Sequence, residues 1–118
     1  MTAIEFSREA RVELDAAADH YEVDYVGRGV RFYDAVERAL RTIDAMPTAS
    51  PLFPGVDQEL AIRRRLVPGF PYALAYRVVG QLIRIEAVAH THRRPGYWLP
   101  RTRDDGGCAP RLRCEIGR

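Results

Sequence analysis

The sequence has 118 residues, of which 47% are hydrophobic, and this suits one folded domain rather than two domains or a disordered chain. Residues 1–47 carry ten acids and six arginines, whereas residues 48–118 carry six acids and twelve arginines, so the basic second half is expected to attract an acidic protein or nucleic acid. No apolar run approaches the roughly 18 residues of a membrane span, and the N-terminal segment has acids in place of a secretory signal's apolar stretch, so we expect a cytoplasmic protein.

The N-terminal part predicts one strand followed by two helices. Residues 2–6 alternate in part and suit a strand, and Ser7 then stands before a helical pattern as a favoured N-cap. This pattern ends at Gly27, and a second apolar stripe follows until Pro47, because proline disfavours helical geometry in the residue before it. Two helices joined by a short glycine turn predict an antiparallel helical hairpin, whose apolar face needs a sheet or a partner to cover it.

Three further strands are predicted at Glu59 to Val67, Tyr72 to Val79 and Leu82 to Ala89. The last two are joined by Gly80-Gln81, a connection typical of a hairpin. The order β-α-α-β-β-β therefore predicts an α+β fold, an antiparallel four-stranded sheet with an N-terminal helical hairpin packed on one face. Strict alternation predicts that the opposite face carries a row of charged side chains, namely Arg63, Arg65, Arg77, Arg84, Glu86 and His90.

The end of the last predicted strand and the segment after it read AVAHTHRRPGYW at residues 87–98, so an apolar run is followed by donors and flat rings. Residues 101–118 lack periodicity, so we expect one domain at 1–100 and a flexible basic tail at 101–118. Cys108 and Cys114 lie in this tail without further ligands nearby, which favours free thiols, with a tail disulfide under oxidising conditions as the alternative. The scattered histidines and the lack of a nucleotide-binding motif predict neither a metal nor a cofactor.

With these elements in this order, the chain resembles the RelE/ParE superfamily of type II toxin–antitoxin toxins, in particular its plasmid-stabilisation group. The resemblance covers about residues 3–101 and rests on FPYALAYRV at 70–78, the arginine run at 63–65, and IEAVAHTHRRPGYWLPR at 85–101. It implies a toxin that a cognate antitoxin neutralises in a hetero-oligomeric complex. It also implies one of two targets, since ParE-like members bind and poison DNA gyrase, whereas RelE-like members cut mRNA in the ribosomal A site without a metal.

Departures from the nuclease pattern favour the ParE-like branch. RelE-like nucleases tend to read Y-R-L-x-Y where residues 72–76 read YALAY, so the arginine that contacts the scissile phosphate is missing here. Loss of such an electrostatic donor commonly costs on the order of 3 kcal/mol of transition-state stabilisation. We therefore expect a gyrase inhibitor that is not an enzyme. An mRNA endonuclease is the alternative, and a degenerate toxin that acts only in complex formation and autoregulation is a third interpretation.

The resemblance also implies candidate site residues. If the chain is a nuclease, the catalytic candidates are Arg65, His90, Arg93 and Tyr97, with His90 as the general acid or base. The residues expected to bind the antitoxin or the target are Arg63, Arg65, Arg77, Arg84, Arg93, Tyr97 and Trp98. Simpler interpretations stay open, since His90 would equally cap the turn after its strand and Trp98 would equally close one end of the core. The antitoxin is expected to cover the arginine face and the groove beside the helices.

Overall fold

The computed structural model describes residues 3–92 and 96–99, which form an α+β fold in the predicted order of elements. The helices are α1 (Arg8–Asp24) and α2 (Arg28–Ala45), and the strands are β1 (Ala3–Phe6), β2 (Arg63–Leu66), β3 (Tyr72–Val79) and β4 (Leu82–His90). Within this part of the chain, no helix has the length and apolar character needed to cross a membrane. The predicted tail at 101–118 and Arg93 lie outside the described residues, so the predictions made for them stay predictions.

The helical hairpin is built as the sequence predicts. Ser7 begins α1, since its Oγ accepts a hydrogen bond from the Ala10 amide at 3.1 Å, and the same hydroxyl donates to the Glu86 main-chain oxygen at 3.2 Å. Gly27 adopts the left-handed region at φ 89°, which turns the chain between the helices. At Gly29 a Cβ would lie 2.8 Å from the Ala18 main-chain oxygen, so only glycine lets the helices approach this closely.

The sheet has the strand order β1-β4-β3-β2 and is mixed rather than wholly antiparallel. Strand β3 runs antiparallel to both β2 and β4, as predicted, but β1 pairs with β4 in parallel, with Ala3 opposite Leu82 and Phe6 opposite Ile85. The prediction of an antiparallel pairing for β1 was wrong. A parallel pair needs a long connection, which the helical hairpin, β2 and β3 supply between these two strands.

The main core lies between the helical hairpin and one face of the sheet. Its buried sheet residues are Val67, Leu74, Tyr76, Ile83, Ile85 and Val88, and the buried helix residues include Ala10, Leu14, Ala17, Tyr21, Phe32, Val36 and Ile43. The Tyr76 hydroxyl donates to the Pro47 main-chain oxygen at 2.8 Å, which fixes the chain just beyond α2 against the sheet. The predicted apolar stripes of both helices therefore face this core, although Tyr25 of the predicted α1 stripe is exposed beyond the end of the helix.

A second, smaller core covers the other face of the sheet. It consists of Phe53, Val56, Ile62, Ala75, Ala87, Ala89 and Trp98, so much of this face is buried under the segment before β2 and the segment after β4. A β-bulge explains why alanines of β4 point here: register with β3 passes from Ala87 to Ile85, and Glu86 is the extra residue. The bulge turns Val88 and His90 to the helix side, whereas His90 was predicted on the opposite face.

The predicted single arginine face does not exist. Arg63 and Arg65 pair in register with Tyr76 and Leu74, which face the helices, whereas Arg77 and Arg84 pair with each other on the opposite face. Strand β2 is also shorter than predicted, since a single 3₁₀ turn (Gln58–Leu60) precedes it. Leu66 of this strand is 53% exposed, whereas Ile62 before the strand and Val67 after it are buried.

Candidate functional site

A cavity of about 210 Å³ lies where β4 ends beside α1, and we call it the strand-end pocket. Its described lining consists of Glu13, Ala16, Ala17 and His20 from α1, Tyr72 from β3, Val88 and His90 from β4, and Tyr97. Two of the four predicted catalytic residues, His90 and Tyr97, therefore meet in one place. The alternation of β4 alone did not predict this, because the bulge at Glu86 is what directs His90 toward the helices.

The carboxylate of Glu13 connects the elements that form the strand-end pocket. Glu13 accepts a hydrogen bond from the Val88 amide at 3.0 Å on one oxygen and from the Tyr97 hydroxyl at 2.5 Å on the other. It thereby joins α1, β4 and the segment after β4. Sequence analysis missed Glu13, although a signal was present: an acid stands between Ala10 and Ala17 on the buried stripe of α1, where an unpaired carboxylate is costly.

His90 has a structural task at the end of β4. Its Nδ1 accepts a hydrogen bond from the His92 amide at 3.1 Å, and its ring lies edge-on to Tyr72 with centroids 5.1 Å apart. An Nδ1 that accepts leaves Nε2 as the protonated nitrogen of the neutral ring. The interpretation of His90 as a cap for the turn after its strand is therefore confirmed, and His92 is exposed.

Tyr72 supplies a hydroxyl that holds its proton tightly. Burial raises the pKa of Tyr72 above its ordinary value near 10, and the charge of Glu13 raises this pKa further. The neutral phenol is thus favoured in the folded state, so this contribution to stability is fully present below pH 10 and is lost as the pH rises through the higher folded value.

Replacement of Tyr72 by phenylalanine is therefore expected to make the stability less dependent on pH in the alkaline range. We expect the thermal midpoint of wild type to fall as the pH rises above about 10, and that of Tyr72→Phe to fall less steeply. Circular dichroism melts at several pH values check this, each variant being referred to its own midpoint at pH 8. Parallel curves for the two proteins would contradict the assignment.

The predicted binding arginines lie apart, and three of them contact internal partners. Arg63 donates to the Ser50 main-chain oxygen at 2.7 Å, which holds the segment before β2. Arg77 Nε lies 2.7 Å from Glu86 Oε2, and Arg84 contacts both Glu86 at 3.6 Å and Glu5 at 3.0 Å. Arg65 lines a different cavity, beside α2, and so does not join His90 and Tyr97 in the strand-end pocket.

Trp98 closes the second core. Its side chain is fully buried and packs edge-on against Phe53, with ring centroids 5.3 Å apart. Gly96, at φ 86°, turns the chain so that this ring folds back over the sheet. The interpretation of Trp98 as a lid over the core is confirmed, whereas Tyr97 beside it is half-buried and reaches the strand-end pocket.

Comparison with known proteins agrees with the α+β fold described above. The family model described as ParE toxin of type II toxin-antitoxin system, parDE, matches residues 4–95. Among solved structures, the chain is similar to one from the chromosomal ParDE TA system from P. aeruginosa, with a TM-score of 0.66 and 19% sequence identity over 78% of this chain and 98% of that chain. No curated protein matches the sequence. At this identity the solved structure shows the shared fold, and the family model adds a match over most of the chain.

Proposed function

Because the chain belongs to the ParE toxin family of type II toxin–antitoxin systems, we propose that it binds a cognate antitoxin and that the free toxin inhibits DNA gyrase. Toxin function follows from the family, and the structure bears on how the toxin acts. In this proposal the protein works in the cytoplasm as a binding inhibitor without catalysis of its own.

The observation that carries this proposal is the carboxylate inside the strand-end pocket. A metal-independent nuclease needs cationic or neutral donors aimed at a phosphate whose negative charge grows in the transition state. Here Glu13 lines the pocket and accepts hydrogen bonds from the Val88 amide and the Tyr97 hydroxyl, and none of the described lining residues is an arginine. The Tyr97 hydroxyl therefore donates to a carboxylate, which supports a structural role for this pair.

One observation favours the nuclease alternative, since His90 and Tyr97 line the same pocket. Their hydrogen bonds count against it. The Tyr97 hydroxyl donates to Glu13, and His90 Nδ1 accepts from the His92 amide, so both groups already have structural partners. Arg65, the third candidate, lies at the other cavity, and Arg93 lies outside the described residues. The geometry therefore supports a binding inhibitor better than an mRNA endonuclease.

Tightly controlled expression of the chain separates these possibilities. We expect growth arrest with an SOS response, gyrase-dependent double-strand breaks and intact transcripts. The purified toxin is expected to inhibit supercoiling by gyrase in a reconstituted assay. Codon-specific cuts in mRNA that disappear in His90→Ala would establish the nuclease instead, and arrest without either signature would contradict both.

The antitoxin part of the proposal has its own test. We expect the protein from the neighbouring small reading frame to co-purify with the chain and to restore growth when both are expressed. Expression without any growth effect, together with stable complex formation, would point to the degenerate toxin that acts only in autoregulation. Failure of the two proteins to associate would contradict antitoxin binding.

A further inference from the structure

A second cavity, of about 290 Å³, lies between the C-terminal half of α2 and the edge strand β2, and we call it the α2–β2 groove. Two neighbouring arginines, Arg64 and Arg65, are among its lining residues, and as consecutive residues of β2 they extend to opposite faces of the strand, Arg65 to the helix side. Its other walls are mainly small or apolar, formed by Ala39, Pro51, Leu66 and Pro68. The groove thus combines two cationic side chains with apolar lining residues, one of which, Leu66, is 53% exposed.

The arginines of this groove differ from those of the sheet centre in their partners. Arg77 and Arg84 meet the carboxylates of Glu86 and Glu5. In contrast, no carboxylate within residues 3–92 and 96–99 lies at ion-pair distance from Arg64 or Arg65, although both are half-buried. A partly desolvated guanidinium without a counter-charge gains most from an external carboxylate, which it binds through two parallel charge-assisted hydrogen bonds.

The groove on the other side of the hairpin has the opposite electrostatic character. It lies between α1, α2 and β1, and its charged lining residues are Arg11, Asp34 and Glu37. Arg11 there already contacts Asp15 at 3.6 Å. An acidic ligand is therefore attracted to the α2–β2 groove and not to the groove beside β1.

The shape of the α2–β2 groove favours a protein segment over a nucleic acid. Nucleic-acid grooves combine a row of cations that tracks the phosphates with aromatic rings on which bases stack. The described lining here has two adjacent cations and no aromatic ring, and its volume is that of a few side chains. Apolar walls around a paired cation fit a carboxylate side chain with an aliphatic neighbour.

We propose that Arg64 and Arg65 bind Asp or Glu side chains of an antitoxin segment that lies in the α2–β2 groove along the edge of β2, Arg65 on the helix side and Arg64 on the other side, where an apolar side chain of the segment packs on Leu66. This inference rests on the proposed antitoxin binding and adds the place and the chemistry of recognition. It also assigns a role to Arg64, which is not among the binding residues expected from the sequence.

Isothermal titration calorimetry with the protein from the neighbouring reading frame tests the groove. We expect Arg64→Ala and Arg65→Ala each to weaken binding about tenfold or more, because a hydrogen bond to a charged group contributes about 1.5–3 kcal/mol. Arg65→Lys, which keeps the charge but loses the paired geometry, is expected to fall between wild type and Arg65→Ala. The matched control is Arg31→Ala, an exposed arginine of α2 outside the groove, with binding within twofold of wild type.

The outcomes separate this inference from the function on which it rests. Thermal melts first confirm that each variant is folded, and Arg65→Lys keeps the test informative if an alanine variant is not. Unchanged affinity in the Arg64→Ala/Arg65→Ala double variant overturns the groove while antitoxin binding stands. A wild-type toxin that does not bind the neighbouring protein overturns both. Binding of a single-stranded 12-mer oligonucleotide that the double variant loses, with antitoxin affinity kept, identifies a nucleic-acid site and overturns the proposal.

Discussion

Replacement of Trp98 by alanine is expected to lower the free energy of unfolding by about 3–5 kcal/mol, the range for truncation of a large buried aromatic side chain. Trp98 is fully buried and is the largest side chain of the core on the sheet face away from the helices. Its neighbours there include three alanines of β3 and β4, which are too small to collapse into the space it leaves. Since small domains are stable by about 5–15 kcal/mol, this loss takes a large share of the total.

Urea unfolding followed by far-ultraviolet circular dichroism measures this effect, because the chain has a single tryptophan and the variant loses that fluorescence signal. The matched control is Trp98→Phe. Phenylalanine keeps an aromatic ring against Phe53 and removes an indole N–H that is buried without a hydrogen-bond acceptor among the described residues. We expect Trp98→Phe to cost less than half as much as Trp98→Ala. A Trp98→Ala loss below about 1 kcal/mol would mean that the second core contributes little.

The direction of β1 shows where sequence patterns stop being informative. The strands, the hairpin turn at Gly80 and the N-cap at Ser7 were predicted because each depends on residues close in sequence. The direction of β1 depends on which strand it pairs with after the chain has passed through two helices and two strands. Periodicity carries no information on that choice, so β1 was assigned the wrong direction.

The β-bulge accounts for the largest error in the predicted site. Alternation in β4 is regular up to Ile85 and again from Ala87, but the extra residue Glu86 shifts the second part by one position. A one-residue shift moves every following side chain to the opposite face. His90 was therefore assigned to the arginine face, whereas it lies beside Tyr72 on the helix side. In hindsight, an acid within an apolar strand was the available signal, because a buried carboxylate needs partners that regular pairing does not supply.

The arginines illustrate a related limit. A row of arginines on alternate strand positions suggests an exposed binding face, because sequence patterns do not reveal counter-charges from distant strands. Here Glu5 and Glu86 neutralise Arg84 and Arg77 within the sheet, while Arg64 and Arg65 at its edge meet no such carboxylate among the described residues. Among the arginines of the sheet that the structure describes, those without a carboxylate contact thus lie on β2, which is why the proposed antitoxin contact is placed there and not on the sheet centre.

Replacement of Glu86 by glutamine is expected to lower the free energy of unfolding by about 3 kcal/mol, since loss of one partner from a buried ion pair strands the other charge. The Glu86 side chain is fully buried, and its Oε2 lies 2.7 Å from Arg77 Nε and 3.6 Å from Arg84 Nε. Glutamine keeps the shape of the side chain, so the loss reports charge and not volume. Because Arg77 and Arg84 are themselves mostly buried, water replaces little of what the carboxylate supplied.

The chain offers a matched control for Glu86→Gln on its surface. Glu37 and Arg41 form an ion pair on α2 at 3.7 Å, with both side chains 67% exposed, so Glu37→Gln is expected to change the unfolding free energy by less than about 0.5 kcal/mol. A double-mutant cycle with Arg77→Met adds a second measurement, in which the two losses are expected not to be additive, because each variant removes the same contact. Additive losses, or a Glu86→Gln cost as small as that of Glu37→Gln, would show that Arg77 does not depend on this carboxylate.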